Sequence, residues 1–208
     1  MNRKQDGRIE IAEGVSYWRA SQEPLSADVG VIEGRRSIWL FDVGSSDGAA
    51  EHIQALPGNK NVVLSHFHRD HMGNLDRIAY QRLYQGANTF RYTQNGEIVR
   101  GEIWLEDGPE LHLFELPSSH AKGCIGLEIN GEYAFLGDGA YCMTKQERPA
   151  YNVGLLKEEI RVLEGLQAGY FLLSHDETFV HEKEEVLEAL KRIYSGREPG
   201  NPYIYVQQ

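Results

Sequence analysis

Apolar positions along the chain fall into two rhythms. Short apolar runs, closed by Gly, Pro, Asn or Asp, predict strands, and two longer stretches with apolar residues three and four apart predict helices. Residues 14–20 (GVSYWRA) form the first strand. Residues 28–42 hold two runs, VGVI and SIWLF, around Glu33, Gly34, Arg35 and Arg36, the pattern of a hairpin. Ser46 or Asp47 caps a short helix through Leu56, with Ala49, Ala50, Ile53 and Leu56 inward, and Pro57 and Gly58 end it. Val62, Val63 and Leu64 make the next strand, so the first third reads β, β, β, α, β.

Residues 80–116 read as β-rich with no helix. The candidate strands are AYQRLYQ, TFRYT, EIVRGEIWLE and LHLFEL, separated by Gly86, Asn95-Gly96 and Gly108-Pro109, and the Asn-Gly pair predicts a hairpin. His112 alternates with apolar neighbours and reads as a strand side chain. After Pro117 come GCIGLEI and EYAFLGDGAYC, joined at Asn130-Gly131. Residues 152–169 carry Leu155, Leu156, Ile160, Leu163 and Leu166 at helical spacing, residues 170–173 a buried strand, and residues 182–195 a second amphipathic helix stopped by Gly196. The tail PGNPYIYVQQ adds at most one edge strand. The expectation is an α/β (α+β) protein forming one domain over residues 1–208.

Composition narrows the partners. The 208 residues carry a net charge of −10 without an acidic tail, which argues against a nucleic-acid backbone as partner. No apolar run is long enough to cross a bilayer, which argues against a membrane role. The segment MNRKQDGRIEIAEG lacks the apolar core of a signal peptide, and Cys124 and Cys142 are too few for a disulfide framework. A reduced, cytoplasmic protein is expected. Whether it forms a homo-oligomer stays open.

The chemistry concentrates in VVLSHFHRDHMGNL, where His66, His68, Asp70 and His71 follow the apolar run directly. Three imidazoles and a carboxylate at a strand end form a dense set of metal ligands. In extended backbone His66 and His68 point the same way, and a sharp turn would aim Asp70 and His71 at a second ion. The same arrangement, an apolar strand and then a His or Asp, recurs at His120, Asp138 and His175. Alone, His120 would be a loop histidine and Asp138 an ordinary turn aspartate, although Gly137 and Gly139 let the chain turn tightly there.

His66-x-His68-x-Asp70-His71, followed in order by His120, Asp138 and His175, resembles the metallo-β-lactamase superfamily, with a glyoxalase II-like ligand set. Phe41-Asp42-Val43-Gly44 is similar to that family's early strand-end aspartate motif. The resemblance implies an αββα sandwich and a binuclear metal-dependent hydrolase. His66, His68 and His120 would hold one divalent ion, Asp70, His71 and His175 a second, and Asp138 would bridge them. A hydroxide shared by ions about 3.5–4 Å apart would attack the substrate. Zinc suits the donors first, with iron or manganese next. The implied substrates are small esters, thioesters or lactones. A small-molecule phosphodiesterase and a mononuclear-iron, sulfur dioxygenase-like oxidoreductase are the alternatives. Asp70 would also serve as proton acceptor, Tyr141 as donor to an oxyanion or leaving group, and Asp42 as the carboxylate that fixes a ligand histidine's tautomer. Ser118-Ser119-His120-Ala121-Lys122-Gly123 and Ser174-His175-Asp176 depart from the family's usual Pro-Gly-His-Thr-x-Gly and Gly-His-Gly. They leave open whether Lys122 meets an anionic substrate group and whether His181 replaces His175. Asp138 stands where true β-lactamases carry Cys or Ser, and the helical region that glyoxalase II adds after the last ligand is not apparent.

Overall fold

The computed structural model describes residues 7–206, so the first six residues of the charged N-terminal segment and the last two of the tail lie outside the described residues. β1 (Ile9–Ala12) and β2 (Val15–Trp18) pair antiparallel about Gly14, whose φ of +74° a side chain would resist. The short ribbon β3 (Ser21–Gln22) and β4 (Leu25–Ser26) leads into β5 (Val29–Glu33) and β6 (Ile38–Phe41), the hairpin expected around Glu33–Arg36. α1 (Asp47–Ala55) starts at Ser46, whose hydroxyl accepts the Ala49 N–H at 3.2 Å.

Then come β7 (Lys60–Leu64), the single turn α2 (Arg69–Met72), β8 (Arg82–Gln85), α3 (Ala87–Thr93) and β9 (Glu97–Ile98). β10 (Glu102–Glu106), β11 (Glu110–Leu116), β12 (Cys124–Ile129) and β13 (Tyr133–Gly137) form an antiparallel run. After β14 (Met143–Lys145) and β15 (Arg148–Asn152), Asn152 caps α4 (Val153–Gly165) by accepting the Leu155 N–H at 3.0 Å. β16 (Tyr170–Leu173), β17 (Val180–Glu182), α5 (Lys183–Ser195) and the edge strand β18 (Tyr203–Tyr205) complete the chain.

Among the described residues one sheet has the order β1-β2-β5-β6-β7-β8-β9, antiparallel to β6 and parallel beyond it. A second has the order β10-β11-β12-β13-β16-β17, with β13 and β16 parallel. Phe41, Val63 and Tyr84 of the first pack on Leu113, Leu127, Phe135 and Leu172 of the second. Their chain neighbours Leu40 and Val62 pack outward on Ile53 and Leu56. Leu136 and Phe171 likewise meet Leu156, Leu163 and Leu187 of the outer helices on the other side. Successive side chains of a strand point to opposite faces, so strands buried on both faces read as unbroken apolar runs. The layers are helix, sheet, sheet, helix, the expected αββα sandwich.

Residues 80–116 depart from the expected pattern. TFRYT is not a strand: its residues lie in α3, with Thr89 buried while Arg91 and Tyr92 side by side face solvent. Asn95-Gly96 makes no hairpin; it follows Gln94, which ends α3 in the left-handed conformation, and leads to β9, parallel to β8. EIVRGEIWLE divides at Gly101 (φ +66°), with β9 in one sheet and β10 in the other. Aromatic and β-branched residues favour strands only weakly, and here tertiary packing decides otherwise.

Candidate metal centre

Parallel pairing of β6 with β7 and of β13 with β16 brings four strand ends to one edge of the sandwich. Such ends gather side chains from distant parts of a chain. Asp42 follows β6, His66 and His68 continue β7, Asp138 follows β13 and His175 follows β16, while His120 sits in the β11–β12 connection. The turn α2 swings Asp70 and His71 back toward them. Asp42 and His175 adopt φ of +60° and +64°, a conformation that costs a non-glycine residue about 1–3 kcal/mol and persists where its surroundings hold it.

Two donor groups result. His68 Nδ1 lies 2.9 Å from His66 Nε2 and 3.0 Å from His120 Nε2. Asp70 Oδ2 lies 3.0 Å from His175 Nε2 and 3.5 Å from His71 Nε2. Asp138 Oδ2 stands between the groups, 3.3 Å from His120 Nε2, 3.2 Å from His71 Nε2 and 4.0 Å from His175 Nε2. Either group could hold an ion. Ligands bound at 2.0–2.2 Å in a tetrahedron lie roughly 3.3–3.6 Å apart, close to these separations. Asp138 Oδ1 is buried with no hydrogen-bond partner, and three imidazole nitrogens aimed at one point lack enough donors to satisfy each other. The donor set fits divalent metal.

Electrostatics prepares the first group for a cation. Burial, then the neighbouring His71, His68 and His120, push the His66 pKa far below the ordinary imidazole range. Burial lowers His68 and His120 as well. Neutral rings keep the lone pairs a metal needs. His71 behaves oppositely: burial works to lower it, but the Asp42 charge and hydrogen bonds to Asp138 and Asp42 outweigh burial and raise it to about 10. His175 is raised mainly by its hydrogen bond to Asp70. A cation bound here would take the place of protons.

A further ring of contacts orients the donors. Asp42 Oδ2 meets His71 Nδ1 at 2.7 Å and accepts the Ser65 hydroxyl at 2.7 Å, and Asp42 Oδ1 accepts the Ser65 N–H at 2.8 Å. A carboxylate at Nδ1 leaves Nε2 facing Asp70 and Asp138. Ser65 Oγ also reaches His66 Nδ1 at 2.9 Å. Gly137, at φ +58°, lies where a Cβ would meet the Ser65 side chain at 2.7 Å. Asp28 Oδ2 accepts the His175 N–H at 2.9 Å and the Ser174 hydroxyl at 3.1 Å, tying the β16 end to the opposite sheet. The Ser118 hydroxyl donates to Gly139 O at 2.6 Å and accepts the His120 N–H at 3.0 Å. Asp28, Ser65 and Ser174 escape sequence reading because serines and lone aspartates carry no spacing signal.

The other candidates separate. The Tyr141 hydroxyl donates to Ser174 O at 2.7 Å, so in this arrangement the phenol holds the backbone beside His175. His181 stands apart from both donor groups, on β17 opposite Phe171, 3.6 Å from Asp176. Lys122 is exposed. His112 lies in β11, 2.8 Å from Glu128 and stacked on Trp104.

No family model matches the chain. It is 26% identical over 163 residues, covering 62% of this chain and 59% of the relative, to the N-acyl homoserine lactonase AiiB of Agrobacterium fabrum. The chain thus spans about three fifths of the length of the curated relatives it matches. A β-lactamase domain protein from Burkholderia ambifaria superposes with a TM-score of 0.72 at 14% identity, over 94% of this chain and 75% of the other. An archaeal metallo-β-lactamase superfamily protein from Sulfolobus tokodaii gives 0.60 at 18% identity, over 84% and 83%. The chain therefore has the fold of these metallo-β-lactamase structures.

Proposed function

We propose that this protein is a metal-dependent hydrolase working with two divalent ions, zinc before iron or manganese, and cleaving a small ester, thioester or lactone. The observation that carries the reading is the pair of abutting donor groups that meet at Asp138 Oδ2. His66, His68 and His120 would hold one ion, Asp70, His71 and His175 the other, with Asp138 between. Similarity to a lactonase supports the lactone most. When bound, divalent ions supply an acidified water and a Lewis acid for the oxygen that gains charge.

The chain's own residues do the rest. His66, His71 and Asp138 are buried, whereas His68, Asp70, His120 and His175 are half-buried and border the open side, where a substrate would approach. Burial pushes the Asp70 carboxyl up, but its hydrogen bond from His175 and the His71 charge outweigh burial and hold it below the ordinary carboxylate range. Asp70 is then ionised at neutral pH, able to take a proton from attacking water and return it to the leaving oxygen as the acyl–oxygen bond breaks. The partner would be a small molecule, with the reduced, cytoplasmic setting belonging to the same proposal. Among the described residues no helix is long and apolar enough to cross a membrane.

The test joins elemental analysis of protein purified without added metal to a panel of lactones, thioesters, esters and phosphodiesters. About two zinc per chain and turnover of carboxylic substrates is the expected result. Metal-loaded protein inert toward the whole panel refutes it.

A further inference from the structure

Tyr92 is the most exposed large apolar side chain among the described residues, at 62%. Isolated exposed aromatics are common and need no explanation. Tyr92 is not isolated. Its ring lies flat on Phe67, with centroids 4.9 Å apart and planes 9° from parallel, and Phe67 meets the His68 ring edge-on at 5.0 Å. Tyr92 therefore lies one side chain, Phe67, away from the half-buried donor His68.

The stack is held in register with that site. Phe67 packs against the core between the second sheet and its helices. α3, which carries Tyr92, rests on the loop after His120: a Cβ at Gly86 would run into the Gly123 carbonyl, and one at Gly123 would meet the Asn88 backbone nitrogen at 3.2 Å. Close packing thus links the metal motif, the His120 loop and the aromatic pair.

We propose that Tyr92 and Phe67 form the platform on which the apolar arm of the substrate lies while its scissile carbonyl meets the metal centre. The inference rests on the hydrolase reading and names the substrate class: carboxylic derivatives whose acyl side carries an aliphatic or aryl group. An aromatic face beside hydrated metal ligands gains nothing from a small polar acyl group. It gains roughly twofold per methylene, half the effect of full burial, and about tenfold in all over the roughly three methylenes that one ring covers.

The test is a binding titration with unreacting carboxylates, followed through the visible spectrum of cobalt-substituted protein. Acetate, butyrate, octanoate and 3-phenylpropanoate serve as probes for the wild type, Tyr92→Ala, Tyr92→Phe and the neighbouring surface variant Arg91→Ala. Octanoate and 3-phenylpropanoate should bind the wild type about tenfold more tightly than acetate. That gain should survive in Tyr92→Phe and Arg91→Ala and fall to about twofold or less in Tyr92→Ala, with cobalt stoichiometry measured on each protein. Wild-type protein that binds all four probes alike, or Tyr92→Ala that keeps the full gain, overturns the platform while leaving the hydrolase reading standing. Protein that takes up no cobalt overturns the metal reading and the platform with it.

Discussion

Asp42→Asn tests how the second donor group is kept ready. Asparagine tolerates the φ of +60° that Asp42 adopts, so the backbone has no reason to move. The side chain has no acceptable orientation, however. With its carbonyl oxygen toward the Ser65 N–H, now 2.8 Å from Asp42 Oδ1, its amide nitrogen faces His71 Nδ1 and the Ser65 hydroxyl, both now 2.7 Å from Oδ2. An amide donor there forces the His71 proton onto Nε2 and blocks the lone pair aimed at Asp70 and Asp138. Flipped, the amide sets its own N–H₂ against the Ser65 N–H, leaving buried donors unpaired at about 1–3 kcal/mol. Either orientation predicts a loss of about 10–100-fold in metal affinity, or ~1.4–2.7 kcal/mol, the usual effect of removing a ligand's orienting partner. Competition against a chromophoric chelator measures it, with thermal unfolding of metal-stripped protein reporting whether the fold itself has suffered. Asp42→Asn that binds both ions as tightly as the wild type would refute the argument that Asp42 selects the tautomer.

Four further outcomes are expected. Asp138→Ala should lower the occupancy of both ions in elemental analysis, because its Oδ2 lies within 3.3 Å of a nitrogen in each group; loss from one alone would remove it from the shared position. Tyr141→Phe deletes the 2.7 Å bond to Ser174 O and should cost about 1 kcal/mol in chemical denaturation at wild-type metal content; a fall of kcat beyond about tenfold would return the phenol to the chemistry. Glu159 is fully buried with neither carboxylate oxygen partnered, and burial raises its pKa well above the ordinary value, so it contributes instability that grows as pH rises above the unfolded value. Glu159→Leu should stabilise the protein by about 1–3 kcal/mol at pH 8 and less at pH 5; equal effects at both would show the carboxyl is ionised in the fold. In metal-stripped protein the unfolded chain takes up protons below about pH 6.5 at His66, His68 and His120 while the folded one resists, so stability should fall from pH 6.5 to 5.5, by ~1 kcal/mol through fully buried His66 alone. His71 and His175, raised in the fold, act in the opposite sense and lose their contribution above pH 6.5, so urea midpoints rising steadily toward low pH would contradict these assignments.

The strands that carry the donors were legible because both their faces are buried, which leaves runs such as IWLF and YFLL with no polar interruption. The donors were legible because each stands just past such a run, where a buried strand has no structural use for an imidazole. The residues that aim the donors were not. Asp28 bonds Ser174 at a separation of 146 residues, and a serine beside a histidine looks like any loop serine until the two sheets close. α3 escaped for a related reason. Thr89, Phe90, Tyr92 and Thr93 favour strands locally, whereas the helix packs where Gly86 and Gly123 let two backbones approach more closely than any side chain would allow. Substrate choice, as opposed to metal binding, would then depend on the element whose local sequence is least informative. If the motif histidines hold metal, the side chains beside them would separate one electrophile from another, and on the proposed platform these are one residue inside the motif, Phe67, and one on a helix that only tertiary packing specifies, Tyr92.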